Sequence, residues 1–594
     1  MSPRILPFGG AALALMLMAC TPSAVAPGGS GGAVGSGGTS VTGSGGATPS
    51  GSGGAPVSTG GGTAATGGST AATGGSTGSG GAAPATGGNG TGTGGTVSGG
   101  GSMGATGGKG GGTSVATGGA GPSTFQRPAG TILNVAQPAS MTNLPEADWK
   151  KGLISPTMLD KHHIGQSSVV NGYLVVGGNE EFWIFDVSNP AAPKQLSSFN
   201  TPNRCGNCGP KSEGEAESHT VSFARYGDKF YMVTTAGVGI DTWDITSATA
   251  PKHLTQVKIS GVSYGDYTEA VWGLSWQGQY IYVGTTNNGI NVFDATDPAA
   301  LVLSTHVATS AYGGVSAGPI DAVGTVLVVT TPKESGGAAT LDISDPIKPT
   351  KLASFTTEKS YIGQFYRHYV FLQSPMRAWD VLTNPANIGS GNSPIGTLNT
   401  ATSEYMSFSD DFLFLGHVRE SAGAAPGASK INVADPRAMK QVNRIWGRMD
   451  RGGINDDQFT ISLGNLLVMG DDEAPYAGFV IGVHQAAPDT TPPVVDTVLP
   501  KDKATAVSTK ARIGISFSDN IELATVNAAS FIVRPMGGQP LAGRWGLRMG
   551  VVNFDPDEDL QPATTYEVVL PKGGLTDLVG NALTAEFNST FTTK

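Results

Sequence analysis

The side chains that could do chemistry are few and scattered. Cys205 and Cys208 form CGNC, and the acidic run KSEGEAESH follows over 211–219 with Glu213, Glu215, Glu217 and His219. Thiols, carboxylates and an imidazole are ligand types that zinc takes, and zinc needs four that converge. Three readings of the cysteine pair stand in order: a disulfide, free thiols, a metal site. A thioredoxin-like role would need a βαβ setting, and a c-type haem would need His at 209, where Gly stands. Acids also gather at Asp266 and Glu269, at Asp456 and Asp457, and at Asp471, Asp472 and Glu473. Such oxygen ligands suit calcium, although acids also simply solvate loops. Glu217, His219 and Asp457 are the metal candidates. No cofactor is expected beyond such a cation, and no catalytic residue is assigned. His162 and His163 have no nearby partner pattern.

These residues lie between copies of one phrase, and the copies dictate what positions them. The phrase reads WIFDVSNPAAPKQLSSF at 183–199 and LDISDPIKPTKLASF at 341–355, with variants at 242–259, 292–307, 378–391 and 431–446. Each is an apolar strand ending in Asp, a polar or Pro corner, and a second strand. Upstream of each comes a hairpin pattern such as SSVVNGYLVVGG (167–178) or VWGLSWQGQYIYVGTT (271–286), with Asn-Gly and Gln-Gly turns. The runs are rich in Val, Tyr, Phe and Ile and too short for helices. One unit is therefore four antiparallel strands over about 40–50 residues, the size of a propeller blade. Seven upstream halves, the last at 459–472, predict seven blades. FVIGVH (479–484) supplies a third strand for the seventh, and the segment TILNVAQPAS (131–140) is expected to return and close it, removing an exposed edge. The repeated Asp186, Asp244, Asp294, Asp342 and Asp380, with Asn432 at the equivalent place, read as turn-formers. A side-chain oxygen at a strand end accepts from backbone N–H groups two residues on. Trp183, Trp243, Trp272, Trp276 and Trp379 fall on strand patterns and read as contacts between blades rather than a carbohydrate platform.

The WIFDV and TLDIS strands resemble the LVIVD repeat family over about 160–485. That resemblance implies a bacterial or archaeal surface β-propeller and supplies no settled catalytic residues.

The chain ends differ from this middle. MSPRILPFGGAALALMLMAC carries Arg4 and then an apolar run too short to span a bilayer, as in a signal peptide. Its end, Leu17-Met18-Ala19-Cys20, resembles a bacterial lipobox, which implies lipidation of Cys20, and Thr21 after it favours the outer membrane. Residues 21–124 are Gly, Ser, Thr and Ala with a few Pro and Val and a single charge, Lys109. They cannot bury enough apolar area to fold. A coil of that length spans roughly 55–60 Å.

After Pro492-Pro493, strand-like runs follow at 512–518, 530–535, 551–556, 566–571 and 587–593. The series resembles the SbsA-type bacterial Ig-like domain over 491–594, most specifically at Asp577-Leu578-Val579-Gly580-Asn581. Asp577 and Asn581 read as a hairpin turn in preference to a calcium site.

The expected fold is all-β: a seven-bladed β-propeller (127–487) followed by an Ig-like β-sandwich (491–594), after a signal peptide (1–20) and a long disordered linker (21–124). The net charge of −10 argues against a nucleic-acid partner, which needs a basic patch. The expected function is a lipid-anchored surface protein for binding or adhesion, not an enzyme, attached to the membrane through its N-terminal lipid. Its partner would be an unidentified protein or polysaccharide. The alternatives are an extracytoplasmic metal-dependent enzyme using one propeller face, and a structural envelope component.

Overall fold

A computed structural model describes residues 142–594 apart from 159–163, 179–180, 203–218, 237–238, 263–269, 333–336, 357–362, 374, 389–392, 401–402, 418–426, 448–456 and 472–477. Cys20, Cys205, Cys208, Glu217 and the segment 131–140 lie outside the described residues. Among the described residues no helix is long and apolar enough to cross a membrane.

The strands form seven four-stranded antiparallel blades. Blades one to six run 164–200, 221–258, 273–307, 320–356, 363–398 and 403–446, each pairing its strands in chain order. The inner hairpins turn through residues with positive φ, among them Gly278 (61°), Gly324 (55°), Arg367 (56°) and Asp410 (52°). The turn-former reading holds at each marker. Asp186, Asp244, Asp294 and Asp342 accept from the N–H two residues on at 2.7–2.9 Å. Asp380 accepts from Thr383 N at 2.9 Å, and Asn432 from Ala434 N at 3.1 Å. In five blades a bulge shifts the register between the two residues before this marker, as at Thr340/Leu341 and Lys430/Ile431. The tryptophans interlock blades: Trp243 packs on Phe199 of blade one at 4.7 Å, and Trp379 stacks on Phe355 of blade four at 4.8 Å.

Closure departs from the expectation. Blade seven is built from Asp457–Leu463, Leu466–Asp471 and Gly478–Val483, and its fourth strand is Leu153–Met158, paired antiparallel to Gly478–Val483. An N-terminal strand does close the ring, but it is LISPTM and not TILNVAQPAS. Pro156 disguised it, since proline demotes a run to an edge strand or a non-strand. An edge position is where this strand sits.

The C-terminal module is a two-sheet sandwich. One sheet orders Val495–Leu499, Ile513–Phe517, Val551–Pro556 and Gly543–Arg548. The other orders Ala504–Val507, Phe587–Thr593, Thr565–Leu570 and Ile532–Pro535. The first sheet does not stop at its own edge. Gly543–Arg548 pairs with Val221–Tyr226, the innermost strand of blade two, matching Trp545 to Arg225 and Leu547 to Phe223. One hydrophobic core runs through the joint, uniting Val170, Phe182, Phe223 and Trp243 of the blades with Ile515, Phe517, Trp545 and Phe554 of the module.

Candidate functional site

Inner strands of a propeller run from one mouth of the central channel to the other, so the two mouths are the places where seven blades can converge on one partner. The structure treats them differently.

The mouth at the hairpin turns is occupied by the module. Asn171 N and Gly172 N of blade one donate to the Glu522 carboxylate at 2.8 and 2.9 Å. Arg225 of blade two donates through Nη1 to the Ala524 and Val526 carbonyls at 2.9 Å each. From blade three, Gln279 N donates to Asp555 at 2.5 Å and Gln277 Nε2 to Asn553 at 3.0 Å. From blade four, Gly324 N donates to Asn553 at 2.8 Å, and Asp321 forms a buried ion pair with Arg548. The Tyr366 hydroxyl of blade five bonds the Ser518 carbonyl, and Asn520 Nδ2 bonds the Phe408 carbonyl of blade six at 3.0 Å. Leu578 joins a buried apolar cluster shared by blades one and seven, with Leu463 and Leu466 among its members. Blades one to six thus bond the module directly, and blade seven shares a core with it.

The opposite mouth is floored by one or two residues from each blade in turn: Gln166, His219 and Thr220, Trp272, Pro319, Gln364, Tyr405 and Met406, Phe459 and Thr460. They leave a cavity of about 10 Å³, room for one water molecule. The channel is therefore a packed core at this level. His219 stands edge-on to Trp272 at 3.6 Å between centroids, Tyr405 stacks on Phe459 at 3.8 Å, and Trp272 and Tyr405 lie nearly parallel at 6.5 Å. Trp272 and Phe459 are buried, while Tyr405 is half-buried. Burial pushes the His219 imidazole down to about 3, so the ring is neutral.

Of the three metal candidates, His219 sits in this floor. Asp457 begins blade seven, where its backbone pairs with Asp471 and with His417 of blade six. Among the described residues, the carboxylates that converge are others. One oxygen each from Asp410, Asp489 and Asp519 lie within 4.8 Å of one another, beside Asp577, at the joint of blade six and the module. Burial and these neighbours push Asp410 up to about 7 and hold Asp519 well above the carboxylate range. The carboxylates by themselves assign no ion. Sequence reading missed this group because its members come from the SDD turn, the connector PDTTPP and the FSDN corner, each an ordinary loop signal. Asp577 does what its turn reading requires: Oδ1 accepts from the N–H groups of Val579, Gly580 and Asn581 at 2.6–2.9 Å, and Asn581 Nδ2 donates to Oδ2 at 2.8 Å.

Two stretches, GVSYG at 261–265 and GVSAG at 314–318, have the spacing of a hydrolase nucleophile elbow, which needs its Ser on a strand-to-helix turn. Ser263 lies outside the described residues. Ser316 precedes Ala317, whose backbone bridges to Thr286, and a strand follows at Ile320–Val323. A cleft of about 340 Å³ lies between blades one and two and the module, lined by Tyr173, Val175, Ile184, Phe230 and Ile245 without a charged side chain.

The LVIVD repeat profile matches residues 166–201 and 270–309, and the bacterial Ig-like domain profile matches 489–593. Both are repeat or structural module types rather than catalytic domains. No curated protein sequence matches the chain. Similar solved structures include the computationally designed Ika8 protein, at 12% identity over 55% of this chain and 100% of that one, TM-score 0.36. Another is the C-terminal WD40 domain of Sif2, at 9% identity over 55% and 98%, TM-score 0.37. A functionally unknown protein from Desulfotomaculum acetoxidans DSM 771 is 11% identical over 50% and 89%, TM-score 0.36. The propeller assignment rests on the strand pairing itself.

Proposed function

We propose that this chain, which carries LVIVD repeats and a C-terminal bacterial Ig-like domain, is a lipid-anchored binding protein of the cell surface. Its partner, an exported protein or a polysaccharide, meets the propeller at the mouth away from the module. The observation that supports this reading most directly is the asymmetry of the two mouths. One is filled by the module, which blades one to six bond directly and blade seven shares a core with. The other ends in an aromatic floor in which Tyr405 is half-buried. A half-exposed aromatic offers large contact area at low entropic cost, which is why such residues are enriched in binding hot spots. In this reading Cys20 holds the chain in the outer membrane and residues 21–124 form the leash that lets the head reach outward.

The test is an array of polysaccharides, peptides and intact cell surfaces probed with the full chain. Binding is expected, and Tyr405→Ala is expected to weaken it about tenfold or more with the far-UV spectrum unchanged. An array on which the protein binds nothing sinks the proposal. In the same cells Cys20→Ser should abolish lipid labelling and membrane attachment.

A further inference from the structure

The joint between blade six and the module presses carboxylates together. Asp410 comes from the blade-six hairpin turn, Asp489 from the connector and Asp519 from the module, with one oxygen of each inside 4.8 Å of the others. Asp489 is 4% exposed, Asp519 6% and the adjacent Asp577 1%. Like charges this close, in a medium that screens poorly, disfavour each other's ionisation. The same segments fasten the module to the propeller: the Tyr366 hydroxyl bonds both the Asp410 and Ser518 carbonyls, and Asn520 bonds the Phe408 carbonyl. Asp410 also lines an open groove of about 280 Å³ with Arg367, Asp411, Thr491 and Asp496, which gives solvent protons a route in.

We propose that this cluster is a proton-operated latch between propeller and module, fastened while Asp410 and Asp519 hold protons and loosened as they lose them. The surrounding charges do not cancel the effect. On the Asp410 turn, Asp411 is held by Arg367 at 3.0 Å. From the module, Asp496 is held by His368 of blade five at 2.7 Å. From the blade interior comes one buried cation, Lys430. Its Nζ lies 3.1 Å from His484 Nδ1 and 3.9 Å from the centre of the Phe412 ring. Burial pushes Lys430 down to about 8 even though Asp410 and Asp489 pull it up, and burial keeps His484 neutral at about 3. Among the described residues, Lys430 and Arg367, whose Nη2 donates to the Asp410 carbonyl at 2.9 Å, thus face four acids. Burial and neighbouring acids push Asp410 up to about 7 and hold Asp519 well above the carboxylate range, and burial is the chief cause that lifts Asp577 to about 6. An acid raised on closure stabilises the closed joint fully below its ordinary range, and that stabilisation is lost as pH rises through the raised value. The latch therefore weakens from about pH 4 upward to about 7.

Hydrogen exchange on the full chain in EDTA reads the latch. Corrected for intrinsic rates, the opening of amides over 408–412 and 518–521 is expected to rise by up to about tenfold per pH unit between pH 5 and 7. The blade-four strand Val326–Thr330 should stay protected throughout. Asp410→Asn removes one titrating group and keeps a residue that tolerates the φ of 52° at this turn, and it should flatten the slope. Asp519→Asn, made separately, should also flatten it, so that a folding failure in one variant leaves the other decisive. A wild-type joint with no pH slope, or a folded variant that keeps the whole slope, overturns the proposal.

Discussion

The carboxylate of Asp342 accepts Ser344 N at 2.7 Å, and Asn432 does the same for Ala434 N in blade six at 3.1 Å. A carboxamide stands in for a carboxylate here, which acid–base chemistry would not allow. The repeated acid is thus a turn device, and the exchange makes it testable. Asp342→Asn should leave the denaturant midpoint unchanged, and Asp342→Ala should cost about 1 kcal/mol without affecting partner binding. An Asn variant as destabilised as the Ala variant would show that the charge itself matters. Sequence alone reveals this role because turn chemistry is local: donor and acceptor lie two residues apart. Asp410, Asp489 and Asp519 are the reverse case. Each carries a loop signal no different from its neighbours, and only long-range folding brings their oxygens together.

Among the strands, the one that makes the joint has the least strand-like sequence. GRWGLR over 543–548 holds two glycines and two arginines, and apolar periodicity passes over it. The structure explains both glycine and arginine. A Cβ on Gly546 would stand 1.8 Å from the Trp276 carbonyl oxygen of blade three, so the backbones approach closely only if that residue is Gly. Arg548 reaches Asp321 in a buried ion pair, where removing one partner costs about 3–5 kcal/mol. Gly546→Ala must push the strand away from Trp276. It should lower exchange protection over 543–548 and 221–226 while Thr565–Leu570, in the far sheet of the module, keeps its protection. Unchanged protection at the joint would refute this account of the docking. Pro156 in the closing strand makes a parallel point: residues chosen for an edge or a close approach weaken the very signals by which strands are read.

At the scale of the whole molecule, propeller and module share their cores. Leu499 and Val551 of the module pack with Val323, Val326 and Phe365 of blades four and five, and Leu578 with blades one and seven. Units joined by a continuous apolar core and a shared sheet lose their independence, because unfolding either exposes apolar surface on the other. Calorimetry of the full chain should show propeller and module melting in one transition. A chain ending at 490 should melt lower or aggregate, and two separate transitions in the full chain would count against a shared core. The repeat phrase together with the hairpin patterns upstream of it determined the blade, the blade count, the ring and the role of its Asp, since each follows from local patterning copied along the chain. The Ig-like pattern determined a second β-module by the same means. Tertiary structure alone decided which N-terminal strand closes the ring, that the module fills one channel mouth, and which carboxylates meet. The physical reason is that docking depends on shape and charge shared between segments distant along the chain, and no single segment carries that information in its own periodicity.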